Sequence, residues 1–319
     1  MSKKHFASSL ALFAVLAVLC LFINGCSGTN NDNTTSDGKT GTLYFVSTRD
    51  SSDGYSALIY SGELNFNEGT LDNVKSILGT DMFAYYNDLF VAPNGSTMFC
   101  SMSKGSLLYC NICRIDIPAG NLTALTSYDE LNNIAPVFTS DHKIYYTSEV
   151  RETSQSQLRC MNTDGSDDTI IFTIPEGNVT SIGLSPDEKS LCLSVIDSNS
   201  NYDIYRYVIS SGTYTNLTNT STISEWSANY NPDGKIIYIC KPYDNSDQTE
   251  IFSMDPNGDN PTQLTGGEKM FNGPLWQYSR WIAFQCENDI WLYDTQDQTI
   301  SNLTGSQGTN YSHTLWVEE

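Results

Sequence analysis

Histidine and positive charge are both scarce in this chain of 319 residues. It has three histidines, and 16 lysines and arginines against 37 aspartates and glutamates, for a formal net charge of −21. So anionic a surface repels the phosphates of nucleic acid and of anionic lipid, which excludes nucleic-acid binding and makes any partner selected by charge a cationic one. Much of the acid lies in turns and loops, where solubility alone accounts for it. There is no Gly-x-Ser-x-Gly nucleophile elbow, no phosphate loop and no dinucleotide fingerprint, so the familiar hydrolase and nucleotide-binding signatures are missing. Past the first residues only His142 and His313 remain, too few for a multi-histidine metal centre.

The beginning of the chain has its own composition. Lys3 and Lys4 precede an apolar stretch from Ala7 to Ile23, the layout of a signal peptide, and this run is near the short limit for a membrane span. Its end, Ile23-Asn24-Gly25-Cys26, resembles a bacterial lipobox. That resemblance implies cleavage before Cys26 and attachment of a diacylglyceryl group to its sulfur, and two acyl chains suffice for stable anchoring. Residues 1–25 are thus expected to be a lipoprotein signal peptide, and residues 26–40 the lipidated cysteine and its tether. Ser27 to Thr40 carries no apolar residue to bury, so it reads as a disordered linker spanning roughly 20 Å on average. Ser27 directly after the cysteine fits sorting to the outer membrane, periplasmic side, in a Gram-negative cell.

What the rest of the chain has is a repeat. Val91-Ala92-Pro93-Asn94-Gly95, Leu184-Ser185-Pro186-Asp187-Glu188-Lys189 and Tyr230-Asn231-Pro232-Asp233-Gly234-Lys235 are clear copies; Phe138 and Trp276 lead weaker ones. The leading apolar residues are separated by 47, 46, 46 and 46 positions. A fixed period of this size signals repeated supersecondary units that bury their faces against one another. Each turn precedes a β-branched and aromatic run such as Ile236-Ile237-Tyr238-Ile239. A second run follows, such as Ile204-Tyr205-Arg206-Tyr207, and the period often closes on Leu-Thr, as at Leu217-Thr218 and Leu303-Thr304. Four short strands in one such period make a propeller blade.

Five periods fill residues 83 to 311. Leu43-Tyr44-Phe45-Val46-Ser47 reads as a second strand without an inner one, and Thr314-Leu315-Trp316-Val317 as an inner strand without followers. Joined, they complete a sixth blade and remove the exposed edges. The expected fold is all-β: a six-bladed β-propeller of four-stranded antiparallel blades over residues 41–319, closed by the C-terminal strand.

The Ser-Pro-Asp-Gly-Lys turn, the apolar strand, Asp-Ile-Tyr and Leu-Thr together resemble the propeller repeat of TolB, and related propellers occur in the prolyl oligopeptidase and dipeptidyl peptidase families. The resemblance covers roughly residues 41 to 319. The α/β domain that TolB carries ahead of its propeller is not expected here. By this analogy the chain is a non-enzymatic envelope protein, without a cofactor or a metal, that binds a protein or peptide as a monomer and touches the membrane through its lipid alone. The alternative is a propeller that binds or cleaves a carbohydrate or peptide through its central channel. The histidines do not match the multi-histidine site of the propeller-fold oligogalacturonate lyases.

Ligands of propellers sit where the inner strands begin. Those positions hold Tyr85, Tyr86, Asn87, Asn133, Thr180, Glu225, Trp226, Phe271, Asn272, Tyr311 and His313, whose rings offer contact area and whose amides offer orientation. His142 replaces the glycine of the turn and reads as a turn residue. Seven cysteines lie within the propeller. Cys100, Cys192, Cys240 and Cys286 fall one per blade, too far apart to bridge. Cys110 and Cys113 have Cys-x-x-Cys spacing but face opposite sides of a strand, so these six read as structural. Loops such as Asp197 to Asp203 place oxygens at alternate positions yet lack the rest of an EF-hand, and solvated hairpins explain them.

Overall fold

The computed structural model describes residues 40–50, 57–78, 84–104, 109–127, 131–150, 155–242, 248–266 and 271–317. The leader, Cys26 and the expected tether up to residue 39 lie outside them. Among the described residues no helix is long and apolar enough to cross a membrane.

Six antiparallel sheets of four strands each follow one another along the chain. The first blade contains β1 (Thr40–Ser47), β2 (Leu58–Asn65) and β3 (Thr70–Ser76), and the second β4 (Ala84–Val91), β5 (Thr97–Lys104), β6 (Asn111–Asp116) and β7 (Asn121–Ala124). The third comprises β8 (Leu131–Phe138), β9 (Lys143–Val150), β10 (Gln155–Asn162) and β11 (Thr169–Thr173). In the fourth are β12 (Asn178–Leu184), β13 (Ser190–Ile196), β14 (Tyr202–Val208) and β15 (Thr213–Asn216). The fifth has β16 (Ile223–Tyr230), β17 (Ile236–Pro242), β18 (Glu250–Met254) and β19 (Thr262–Gln263). The sixth is built of β20 (Asn272–Tyr278), β21 (Trp281–Cys286), β22 (Asp289–Asp294) and β23 (Thr299–Asn302). β24 (Asn310–Trp316) then returns to the first blade and pairs with β1, setting Leu315 opposite Leu43 and Thr314 opposite Tyr44. The expected seal is present.

The two repeat motifs have separate physical causes. The fourth residue of the turn is left-handed, with φ of 64° at Gly95, 65° at His142, 56° at Glu188 and 80° at Gly234. Glycine takes that conformation without strain, which explains its place in the pattern. The Leu-Thr pair fastens the third strand. The leucine N–H donates to an isoleucine carbonyl, as from Leu217 to Ile204 and from Leu303 to Ile290. The threonine Oγ1 accepts the N–H of that same isoleucine at 3.0 Å for Thr218 and 3.1 Å for Thr304. It also donates to the acidic side chain just before, reaching Asp289 Oδ1 at 2.7 Å in the sixth blade. Burial would raise the pKa of Asp289, but hydrogen bonds from Thr304, Asn302 and Ser306 outweigh it and hold the carboxyl below its usual value. Part of the acid of this chain is therefore structural. Thr304→Val should leave both Ile290 N–H and Asp289 short of a partner, and is expected to destabilise by about 2 kcal/mol, read by denaturant unfolding.

Between blades the core is apolar. Leu43, Phe45, Tyr60 and Leu64 of the first blade pack with Trp281, Ala283, Ile290 and Leu292 of the sixth. On its other side, Val46 and Ile59 pack with Met98, Met102 and Ile115 of the second. Cys100, Cys192, Cys240 and Cys286 sit on β5, β13, β17 and β21 of four different sheets, and no disulfide joins the described cysteines. One relation escaped the sequence, because Cys113 lies directly opposite Cys100 across the β5–β6 pair. Burial pushes the Cys113 and Cys192 thiols up to about 12, which keeps them unreactive.

Candidate functional site: the central channel

Each inner strand breaks its register once. In the five strands with a full period the irregularity falls between Asn87 and Phe90, Ile134 and Val137, Val179 and Ser181, Trp226 and Asn229, and Asn272 and Trp276. In β24 it falls between Tyr311 and His313. Such bulges bend a strand and re-aim its side chains, and they recur at the rims and centres of closed sheets. Asp88, Ala135 and Ser227 take φ of 50°, 55° and 54° there, and the sixth blade uses Gly273 before a cis Pro274.

The bulges surround a cavity of about 460 Å³ to which all six inner strands contribute, through residues such as Asp88, Ala135, Ser181, Asn229, Trp276 and Tyr311. Asp88, Ala135, Ser181, Ser227 and Gly273 follow the same steps of 47, 46, 46 and 46 as the turns. The column is small in the third to sixth blades and carries an acid in the second. Ser101 Oγ donates to Asp88 Oδ2 at 2.6 Å, and the Ala135 N–H of the next blade donates to the same oxygen at 3.1 Å. Burial nonetheless pushes this carboxyl above its ordinary value, against the pull of those two donors. Serine repeats the inter-blade link further round, where Ser194 Oγ accepts the Ala228 N–H at 3.0 Å. The rings of Phe90 and Trp276, on the two blades flanking the first, stand 6.0 Å apart at the cavity wall. The indole N–H of Trp276 is buried without a hydrogen-bond partner.

Of the residues expected from the sequence, Thr180 and Tyr311 line this cavity. Tyr86 and Asn87 lie on β4 opposite Met102 and Ser101, just before the bulge, and Asn272 lies at the start of β20 opposite Gln285. Asn133 is buried and accepts from Ser148 Oγ at 2.8 Å. Trp226 leans on Tyr202, with ring centroids 6.0 Å apart, and Phe271 is buried against Phe284 at 4.9 Å. Glu225 and His313 are buried too, and neither they nor Asn133, Trp226 and Phe271 line the cavity. The reason is geometric: the inner strands meet the axis at their mid-strand bulges rather than at their first residues. Among the described residues no group of three or more histidine, cysteine and carboxylate side chains is placed to hold a metal. In the loop after β13, Asp197 Oδ1 accepts the N–H groups of Asn199 and Asn201 at 2.8 and 2.9 Å.

Two of the buried titratable groups, Glu225 and His313, oppose one another in pH. Burial pushes Glu225 up to about 7, the charge of Asp203 adding to it and the Thr220 hydroxyl opposing. This acid takes up its proton more readily folded than unfolded. Its contribution is fully present below its unfolded value of 4.5 and is lost as pH rises through about 7, a span of about 3 kcal/mol. His313 makes no well-formed hydrogen bond through either ring nitrogen. Burial, offset in part by the Ala283 backbone, pushes it down to about 4, so its contribution is present above 6.5 and lost as pH falls through 4. Glu225→Gln removes the first effect alone. The variant should melt above the parent at pH 8 and with it at pH 4; a difference that does not change with pH would contradict this assignment.

No protein-family model and no curated protein matches the sequence. Solved structures do resemble it. TolB from Acinetobacter baumannii aligns with a TM-score of 0.66 at 16% identity over 86% of this chain, which spans 66% of that chain. The nidogen/laminin complex gives 0.69 at 12% identity, over 88% of this chain and 99% of that one. An oligogalacturonate lyase in complex with manganese gives 0.55 at 15% over 84% and 79%. At these identities the likeness speaks for architecture: the chain is a TolB-like six-bladed β-propeller.

Proposed function

We propose that this chain is a lipid-anchored, monomeric protein of the bacterial envelope whose propeller binds a protein or peptide partner in its central channel. The observation that carries this reading is the channel itself. It is walled by Ile134, Val137, Ile182 and Leu275 with a few polar groups, and Asp88 is the one charged side chain among the described residues of its lining. Apolar walls with sparse, fixed polar groups suit recognition. The TolB and nidogen/laminin likenesses support a protein partner by analogy of fold.

Trp276→Ala and Tyr311→Ala remove ring area from the wall, and capture of envelope proteins by the parent and each variant tests the reading. Loss of a specific protein from both variants, with unchanged melting, supports it. Loss of glycan binding or turnover instead would establish the carbohydrate alternative. The anchor has its own test: Cys26→Ser should abolish incorporation of labelled palmitate and release the protein from membranes.

A further inference from the structure

The column facing the channel contains Asp88, Ala135, Ser181, Ser227 and Gly273. Small residues in four of its five places leave room in front of the fifth. Asp88 is the one charged side chain in the lining among the described residues. It is partly exposed, and its carboxylate is oriented by Ser101 Oγ and the Ala135 N–H, both on Oδ2. A serine does the same inter-blade task at Ser194, accepting the Ala228 N–H, so an acid is not needed to join two blades.

We propose that Asp88 is the binding residue for a protonated primary amine, carried by a peptide that enters the channel. This rests on the channel reading above and names the chemistry of its occupant. Three features select that class. The carboxylate supplies the one formal charge among the described residues of the lining, in an apolar surround where a charge-assisted hydrogen bond is strong. The rings of Phe90, Trp276 and Tyr311 add faces that attract cations. The net charge of −21 draws cations to the molecule and repels anionic competitors.

The test uses the whole folded protein and one probe in two forms, the peptide Lys-Leu-Phe-Leu-amide and its doubly acetylated derivative, with binding followed by calorimetry. The parent should bind the free amine form at least roughly tenfold more tightly, the scale of a lost charged hydrogen bond. Asp88→Asn, which keeps a carbonyl oxygen for Ser101 and Ala135, should erase that preference and leave the acetylated peptide unaffected. Equal binding of both forms by the parent would overturn the assignment while leaving the channel reading intact, and it needs no variant. Binding of neither form would overturn both. Binding of both that persists in Trp276→Ala and Tyr311→Ala would place the peptide elsewhere and also overturn both.

Discussion

Deletion of Asn310 to Glu319 is expected to abolish cooperative folding. The deletion removes β24, and with it every partner of β1 on its inner edge, from Thr42 opposite Trp316 to Ser47 opposite Asn310. Leu43, Phe45 and Val46 are fully buried in the closed ring. Their side chains would face water or a loosened neighbour. At about 1.5 to 3 kcal/mol each, three such residues represent roughly 5 to 9 kcal/mol, comparable with the whole stability of an ordinary domain, about 5 to 15. The unpaired edge of β1 would also invite association. Circular dichroism should show no cooperative melt for the truncated chain, and a transition within a few degrees of the parent would contradict the closure.

A larger side chain at Gly183 is the second severe change. Gly183 lies on β12, where the fourth and fifth blades approach closely. A Cβ there would stand 2.6 Å from Cys192 Sγ, 2.7 Å from Asn229 Oδ1 and 2.8 Å from Asn229 Cα. The last contact is backbone, so no rotamer change relieves it and the blades must separate. Gly183→Val is expected to cost about 3 kcal/mol, at the upper end for overpacking, and to lower Tm by roughly 6 to 12 °C. Because Asn229 lines the channel, peptide affinity should fall with it. Gly234→Ala offers a control: nothing lies within 4 Å of a Cβ there, and its cost is confined to a φ of 80°. A Gly183 variant no worse than this control would contradict the close approach.

The architecture was legible because its signals are local and repeated. Pro-Asp-Gly turns, Leu-Thr closures and a constant period need no long-range information, and the unmatched strand at each end told how the ring closes. The channel was less legible, because its geometry depends on bulges. Strict alternation sets Tyr311 and His313 on one face. The unpaired Ser312 between them puts the two on opposite faces, so Tyr311 lines the cavity and His313 is buried. Trp276 stood in the sequence as the apolar leader of a turn, which hid its place in the wall. Asp88 was within reach: aligning the column by the turn period shows an acid where the other blades have alanine, serine or glycine.

Hydrogen exchange at the seam between the two ends of the described chain tests the closed ring most directly. The amides of Leu43 to Val46 and of His313 to Leu315 should be protected to the same degree as those of Leu191 to Val195, in the interior of the fourth blade. Exchange of the seam at the rate of an exposed hairpin loop, while the fourth blade stays protected, would show that β24 does not seal the ring.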